Sequence, residues 1–324
     1  MVIAKNQENR AKLNEDSQVN INVDNKSKLT TLLKKVKQNK MFYVFVAPFF
    51  ILFIIFNAFP IIASFFLGFT SWNGVGIPEF VGIRNYSRLF NDPVFIKSIY
   101  NTIFMWFFST VLTLGLAFIL AFMVNHYITK ARGFYRVVFL FPLLVAPALT
   151  AIMISVLFST NSGIINVVIS LFTGGTFTHE WLRSTFWVKP LVVLIIIWRW
   201  TGYHFILHIA GLQTIPNDLY DAAKIDGANG KQIVWYITLP LMIPILFVSL
   251  ITATVGGIQL FDEPFVLTQG SGGVNNAGLS MGMYLYKTAF EYFEFGLASA
   301  QSYVLFGMIM IVTLINARLL RKRT

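Results

Sequence analysis

The 324-residue sequence contains no cysteine, which excludes disulfides, thiolate nucleophiles and cysteine-ligated zinc. It is also poor in charge: 12% of residues are Asp, Glu, Lys or Arg, against 56% hydrophobic and 33 Phe. That balance excludes a soluble domain of ordinary composition and describes an integral membrane protein. Acids are scarcer than bases, 14 against 25, and the net charge of +11 would suit nucleic acid if the protein were soluble. In a membrane protein its meaning depends on where the bases fall along the chain, and no nucleic-acid partner is expected.

Catalytic patterns are missing too. A phosphate-cradling loop needs G-x-x-x-x-G-K followed by Ser or Thr; around Gly230 and Lys231, Ile225 stands where the first glycine belongs and Gln232 replaces the hydroxyl residue. Any ATP must be used on another polypeptide. His204 and His208 are four apart on one apolar run, but the Glu of H-E-x-x-H and a third ligand are missing, so the reading is two histidines hydrogen-bonding inside a bundle. No G-x-S-x-G occurs. The chain is expected to be no enzyme and to bind no cofactor or metal.

Long apolar runs are abundant. A bilayer-spanning helix needs about 20 apolar residues, and six runs qualify, over 42–70, 99–124, 137–158, 187–210, 239–261 and 298–316. A seventh patch, 163–172, is too short to span. The expected fold is all-α: a polytopic membrane protein of six transmembrane helices over 41–318, a polar N-terminal tail over 1–40 and a basic end over 319–324. The tail lacks a short apolar core with a small-residue cleavage site and is not read as a signal peptide. Its basic end suits anionic membrane lipid.

Lysine and arginine orient the spans. Eighteen of the 25 fall on the side bearing both termini: nine between Lys5 and Lys40, then Lys130, Arg132, Arg136, Lys224, Lys231 and the four from Arg318 onward. Six fall on the other side and Arg199 lies inside a span. Short cytoplasmic loops carry the excess of bases, so both termini are expected in the cytoplasm, as is the segment after span four.

That segment, DAAKIDGANGKQIVWYITLP, is an organised polar stretch between two apolar ones. Asn217 or Asp218 suits a helix cap, Asp221 then falls near the positive end of the helix, and Asp226 precedes Gly227, which permits a turn. A second helix over 229–236 runs into Pro240. Ala222, Ala223 and Ala228 offer a small apolar face on which another protein can lie. These residues resemble the signature of binding-protein-dependent ABC importer membrane subunits, E-A-A, three residues, G, nine residues, I-x-L-P. Asp221, Ala222, Ala223, Gly227, Ile237, Leu239 and Pro240 match at every interval, and only Asp for Glu departs. Upstream AGLQTIPNDLYDAAKIDGA, with LFDEPFVLTQGSGG and YKTAFEYFEFGLASA downstream, is similar to the sugar branch, closest in type to the larger maltose-type subunit.

The resemblance implies a coupling helix that docks into a cleft of a cytoplasmic ATPase dimer, which carries the ATP and Mg. It further implies a second homologous permease, an extracytoplasmic solute-binding protein and a bacterial cytoplasmic-membrane location. It also implies that span four contributes to a sugar site, with Trp198 and Tyr203 matching lining positions. By their own chemistry those two suit either a sugar platform or interfacial packing. Arg199, one turn from Tyr203, suits a pathway donor, a structural ion pair or a snorkelling side chain, and an acidic sugar would match its charge. Gln259, near the outer end of span five, is a pathway candidate, while Asp262 and Glu263 read as cap or loop contacts. The rival is an ion-gradient-driven secondary transporter, which should show inverted halves, interrupted helices and membrane carboxylates; spans one to three are not mirrored in four to six.

Overall fold

The computed structural model describes residues 38–128 and 132–321. The N-terminal tail up to residue 37 and the last three residues of the basic end lie outside the described residues. By contact the chain forms two units, Met1–Ala63 and Ser64–Thr324. The described part of the first is an apolar helix with no buried residue, belonging to α1 (Lys40–Leu67). A π turn at Ile54–Ala58 lies just before Pro60, whose missing N–H leaves the Phe56 carbonyl without its usual donor.

The second unit holds the remaining elements. A two-residue hairpin, Thr70–Ser71 with Glu79–Phe80, is the only strand pair among the described residues. It is followed by α2 (Arg84–Asn91) and α3 (Pro93–His126), and the Asp92 side chain caps α3 by accepting from the Val94 amide at 2.8 Å. Asp92 also accepts from the Tyr284 phenol; burial, then this carboxylate, pushes that phenol above its ordinary range. Then come α4 (Arg132–Leu144), α5 (Pro147–Leu157), the short surface helix α6 (Ile164–Thr173) and α7 (Val188–Leu212). After these lie α8 (Asn217–Ile225), α9 (Gly230–Ile233), α10 (Leu239–Ile258), α11 (Asp262–Leu267), α12 (Met281–Tyr286) and α13 (Phe295–Arg321).

Among the described residues, five helices are long and apolar enough to cross a bilayer: α1, α3, α7, the run Gly230–Leu267 and α13. The run read as a third straight span over 137–158 is instead a bent pair, with α4 and α5 turned by 90° at their junction. Proline explains the bend. A residue before proline is pushed out of the helical region, and Ala146, preceding Pro147, sits at φ −56°, ψ 139°. Counted as one broken span, the pair makes six.

Within this unit α7 is the central strut, flanked by α3, α4 and α10. Met105, Val192, Ile195, Leu260 and Leu267 form one core cluster, and Ala117, Phe205, Leu212 and Met242 another toward the opposite end of α7. In lipid, helices associate through close approach and shared polar groups more than through hydrophobic gain. Both devices are present. A Cβ on Gly202 would lie 1.8 Å from the Phe139 carbonyl oxygen, so the backbones of α7 and α4 meet where only glycine fits. His204 Nδ1 shares a 2.6 Å hydrogen bond with Ser249 Oγ, and Asn316 Nδ2 donates to Thr254 Oγ1 at 3.2 Å, tying α10 to α7 and to α13.

Candidate functional site

Two places carry the chemistry, a cavity inside the bundle and the polar segment between α7 and α10. The cavity encloses about 300 Å³ between α3, α5, α7 and α10, closed at one end by the irregular 259–261 stretch and α11. On α7 its lining repeats with helical period: Ile196, Arg199, Trp200 and His204. Ser109, Thr110 and Thr113 face it from α3, Thr252 and Gly256 from α10, and Gln259, Asp262 and Glu263 from the closing end. It thus combines hydroxyls, an amide and charged groups with two aromatic side chains, Trp200 and Phe261.

Arg199 is 6% exposed and Glu263 5%, and Arg199 Nη1 donates to Glu263 Oε1 at 2.6 Å. Glu263, expected as a cap or loop contact, does stand at a helix start but is also the buried partner of Arg199. It sits on the first turn of α11, where a carboxylate also meets the positive helix end. A buried carboxylate without a partner would be costly, and the guanidinium offsets that cost. The Arg199 Nε and the hydroxyls of Thr110 and Thr113 are buried with no hydrogen bond to any described residue. These three atoms are packed away from accessible space, so the polar groups that the cavity offers a solute are others on its wall, the exposed Gln259 amide among them.

Of the four pathway candidates, the structure brings Arg199 and Gln259 together on the cavity wall. Trp198 is 40% exposed on another side of α7. Tyr203 lies one layer behind the wall, its ring edge-on to Trp200 at 5.8 Å and to His204 at 5.1 Å. Trp200 is the aromatic residue that sequence reasoning missed, although the four-residue period from Ile196 through Trp200 to His204 was there to find it.

The polar segment is built as a braced turn. α8 begins at Asn217 with Pro216 as its N-cap, so neither Asn217 nor Asp218 caps it by side chain, and Asp218 rather than Asp221 occupies the first turn. Asp221 instead pairs with Lys224 at 3.1 Å on the exposed face. The Ala228 amide donates to the Ala223 carbonyl at 2.9 Å and the Gly227 amide to the Lys224 carbonyl at 3.0 Å, the Schellman pattern that ends a helix through a left-handed residue. Gly227 is that residue, at φ +79°. Asn229 and Gln232 then cap α9 reciprocally, and a π turn at Val234–Thr238 leads past Leu239 and Pro240 into α10.

Ala222, Asp226 and Pro240 are exposed; Ala223, Ile237 and Leu239 are half-buried. Beneath them Tyr220, 7% exposed, is the anchor that sequence reading did not pick out. Its ring meets His126 of α3 edge-on at 5.3 Å, and its hydroxyl lies 3.4 Å from Thr238 Oγ1 at the head of α10. α8 is thereby in contact with two long helices at once.

Comparison with known proteins agrees with this architecture. Residues 113–323 match the family of binding-protein-dependent transport system inner membrane components. The lactose transport system permease protein LacF of Rhizobium radiobacter is 32% identical over 282 residues, 87% of this chain and 94% of that protein. The arabinooligosaccharides transport system permease protein AraP of Bacillus subtilis is 32% identical over 278 residues, 86% of this chain and 87% of that one. The fold is shared with a chain of a bacterial ABC transporter involved in the import of alginate, at a TM-score of 0.78 and 22% identity over 90% of this chain and 98% of that one. An interrupted span and a buried carboxylate are also features expected of an ion-driven carrier, but the extended match decides against that rival. This chain belongs to the binding-protein-dependent transport system inner membrane components, and is a multi-pass membrane permease subunit.

Proposed function

We propose that the chain is one of two homologous permease subunits of an ATP-driven importer for a sugar or oligosaccharide. It forms half of the translocation pathway, with both termini in the cytoplasm of a bacterium. ATP and Mg are held by a cytoplasmic ATPase dimer, and an extracytoplasmic solute-binding protein delivers the solute. The observation that carries the reading is the braced turn over 221–240: a family signature whose glycine is left-handed and whose helix is bolted to α3 and α10 through Tyr220. Closure of the ATPase dimer on ATP moves such a lever, and differential ATP affinity shifts the spans between inward-facing and outward-facing states.

The sugar assignment draws on the relatives, whose names specify lactose and arabinooligosaccharides, and on a cavity that joins hydroxyls to aromatic faces. Sugars present an apolar ring face and a rim of hydroxyls, so Trp200, in contact with Tyr203, supplies a platform while Gln259 supplies a donor and Arg199, paired with Glu263, forms part of the wall. Purification from native cells in gentle detergent, followed by mass identification of the co-purifying subunits, tests the assembly. A second permease and two ATPase copies are expected; the chain alone or as a homodimer at full yield would defeat the lever reading.

A further inference from the structure

Arg199 is the strongest reason to expect an acidic solute, and its surroundings argue the opposite. Its guanidinium is already engaged by Glu263 at 2.6 Å, both groups being almost wholly buried. Asp262, the neighbouring residue on the first turn of α11, is an exposed acid among the residues that line the same space. Among the described residues lining the cavity there are thus two acids to one base, counting His204 as neutral. A carboxylate or sulfonate entering this space meets like charge, and can reach the guanidinium only by displacing a buried carboxylate that would be left without a partner.

What remains open suits uncharged hydroxyls. The exposed Gln259 amide, both donor and acceptor, lines the space, as does Thr252, whose hydroxyl donates to the Val248 carbonyl and can still accept. We propose that this cavity selects neutral saccharides and rejects anionic ones, with Glu263 as the specificity-determining residue that holds the charge of Arg199 away from the solute. The proposal rests on the reading of the chain as a saccharide permease, and deepens it by naming the solute's charge class. Specificity of this kind comes from a built-in repulsion as much as from attraction.

The test uses the intact complex of this chain with its partner subunits, in lipid nanodiscs and without the binding protein, so that only the transmembrane site selects. Equilibrium binding is measured for lactose, maltose, trehalose and galactobiose, and for digalacturonate, which differs from galactobiose in carrying carboxylates. At least one neutral sugar is expected to bind roughly tenfold or more tighter than digalacturonate, the scale of one uncompensated charge in a poorly solvated site. In Glu263→Gln, digalacturonate binding is expected to rise by a similar factor, and in the double variant Arg199→Gln/Glu263→Gln the gain is expected to vanish.

Digalacturonate bound best by the unaltered complex, or an assembled Glu263→Gln complex with no anionic gain, would overturn the proposal while leaving the permease reading intact. Absence of binding by any saccharide, neutral or acidic, would instead remove the reading on which it rests. If Glu263→Gln fails to assemble, the neutral-to-anionic ratio of the unaltered complex decides alone.

Discussion

Gly202 of α7 stands beneath the Phe139 carbonyl of α4, where an added methyl carbon would lie 1.8 Å from the oxygen. Both partners in this contact are backbone, so neither can rotate away. Gly202→Ala is expected to cost roughly 3 kcal/mol or more, at the upper end of overpacking, and to part the two helices. Thermal unfolding of the purified complex reads the loss; an unchanged midpoint with unchanged yield would mean that α4 does not seat on α7 in this way.

Gly227 has empty space around its Cα and a backbone that other residues resist, φ +79° with nothing within 4 Å. Gly227→Val therefore creates no clash, and strains the turn by about 1–2 kcal/mol. ATP hydrolysis is expected to continue while sugar uptake falls, with normal subunit stoichiometry. Normal uptake at normal assembly would remove the turn from the coupling path.

Tyr220 links α8 to both α3 and α10, through His126 and Thr238. Truncation to Ala is expected to cost about 3–5 kcal/mol locally, the range for losing a buried aromatic side chain, and to loosen α8 against the spans. Hydrogen exchange should rise in α8 and in the head of α10, with a matching fall in uptake per ATP hydrolysed. Exchange confined to α8 would show that the helix is not braced against α10.

Trp200 faces the cavity and Tyr203 holds its edge at 5.8 Å. Trp200→Ala is expected to weaken solute affinity more than Tyr203→Ala, because losing the platform removes contact with the solute and losing its support only frees the platform to move. Trp198→Ala should change affinity least. Affinities measured on the assembled complex rank the three, and Trp198 leading would place the pathway on another face of α7.

Gly256 offers a contrast within one residue. It lines the cavity from α10 with open space where its Cβ would be. Gly256→Ala should stabilise the helix by up to about 1 kcal/mol, whereas Gly256→Leu should fill the cavity and abolish binding at unchanged thermal stability. Solute binding retained in the leucine variant would show that the solute does not use this space.

Much of this was legible in the sequence because it is local. Spans follow from apolar length, and the turn between α8 and α9 from Gly227, which permits one; its left-handed conformation is what the structure adds. The break between α4 and α5 was written locally as well, in Ala146–Pro147, but prolines within apolar runs are common in membrane helices and the uninterrupted hydropathy over 137–158 hid it. The pairing of Glu263 with Arg199 escaped for a different reason. Its partner Arg199 is 64 residues away in sequence, and no periodicity connects a carboxylate at a helix start to a guanidinium on another span. Trp198 and Tyr203 drew notice by similarity to lining positions, while the four-residue period that carries Trp200 gives a shared face but not which neighbours that face meets.

The bend between α4 and α5 also bears on the solvent. Where a helix turns by 90°, the regular ladder of amide and carbonyl groups is interrupted, and hydrocarbon offers nothing to complete it. Pro147, at the corner, is part of the cavity wall. Backbone left open there would need a polar partner, and the polar wall of the cavity lies beside it. A proline corner thus sets one wall of the space, so its shape depends on the angle between α4 and α5 and not on side chains alone.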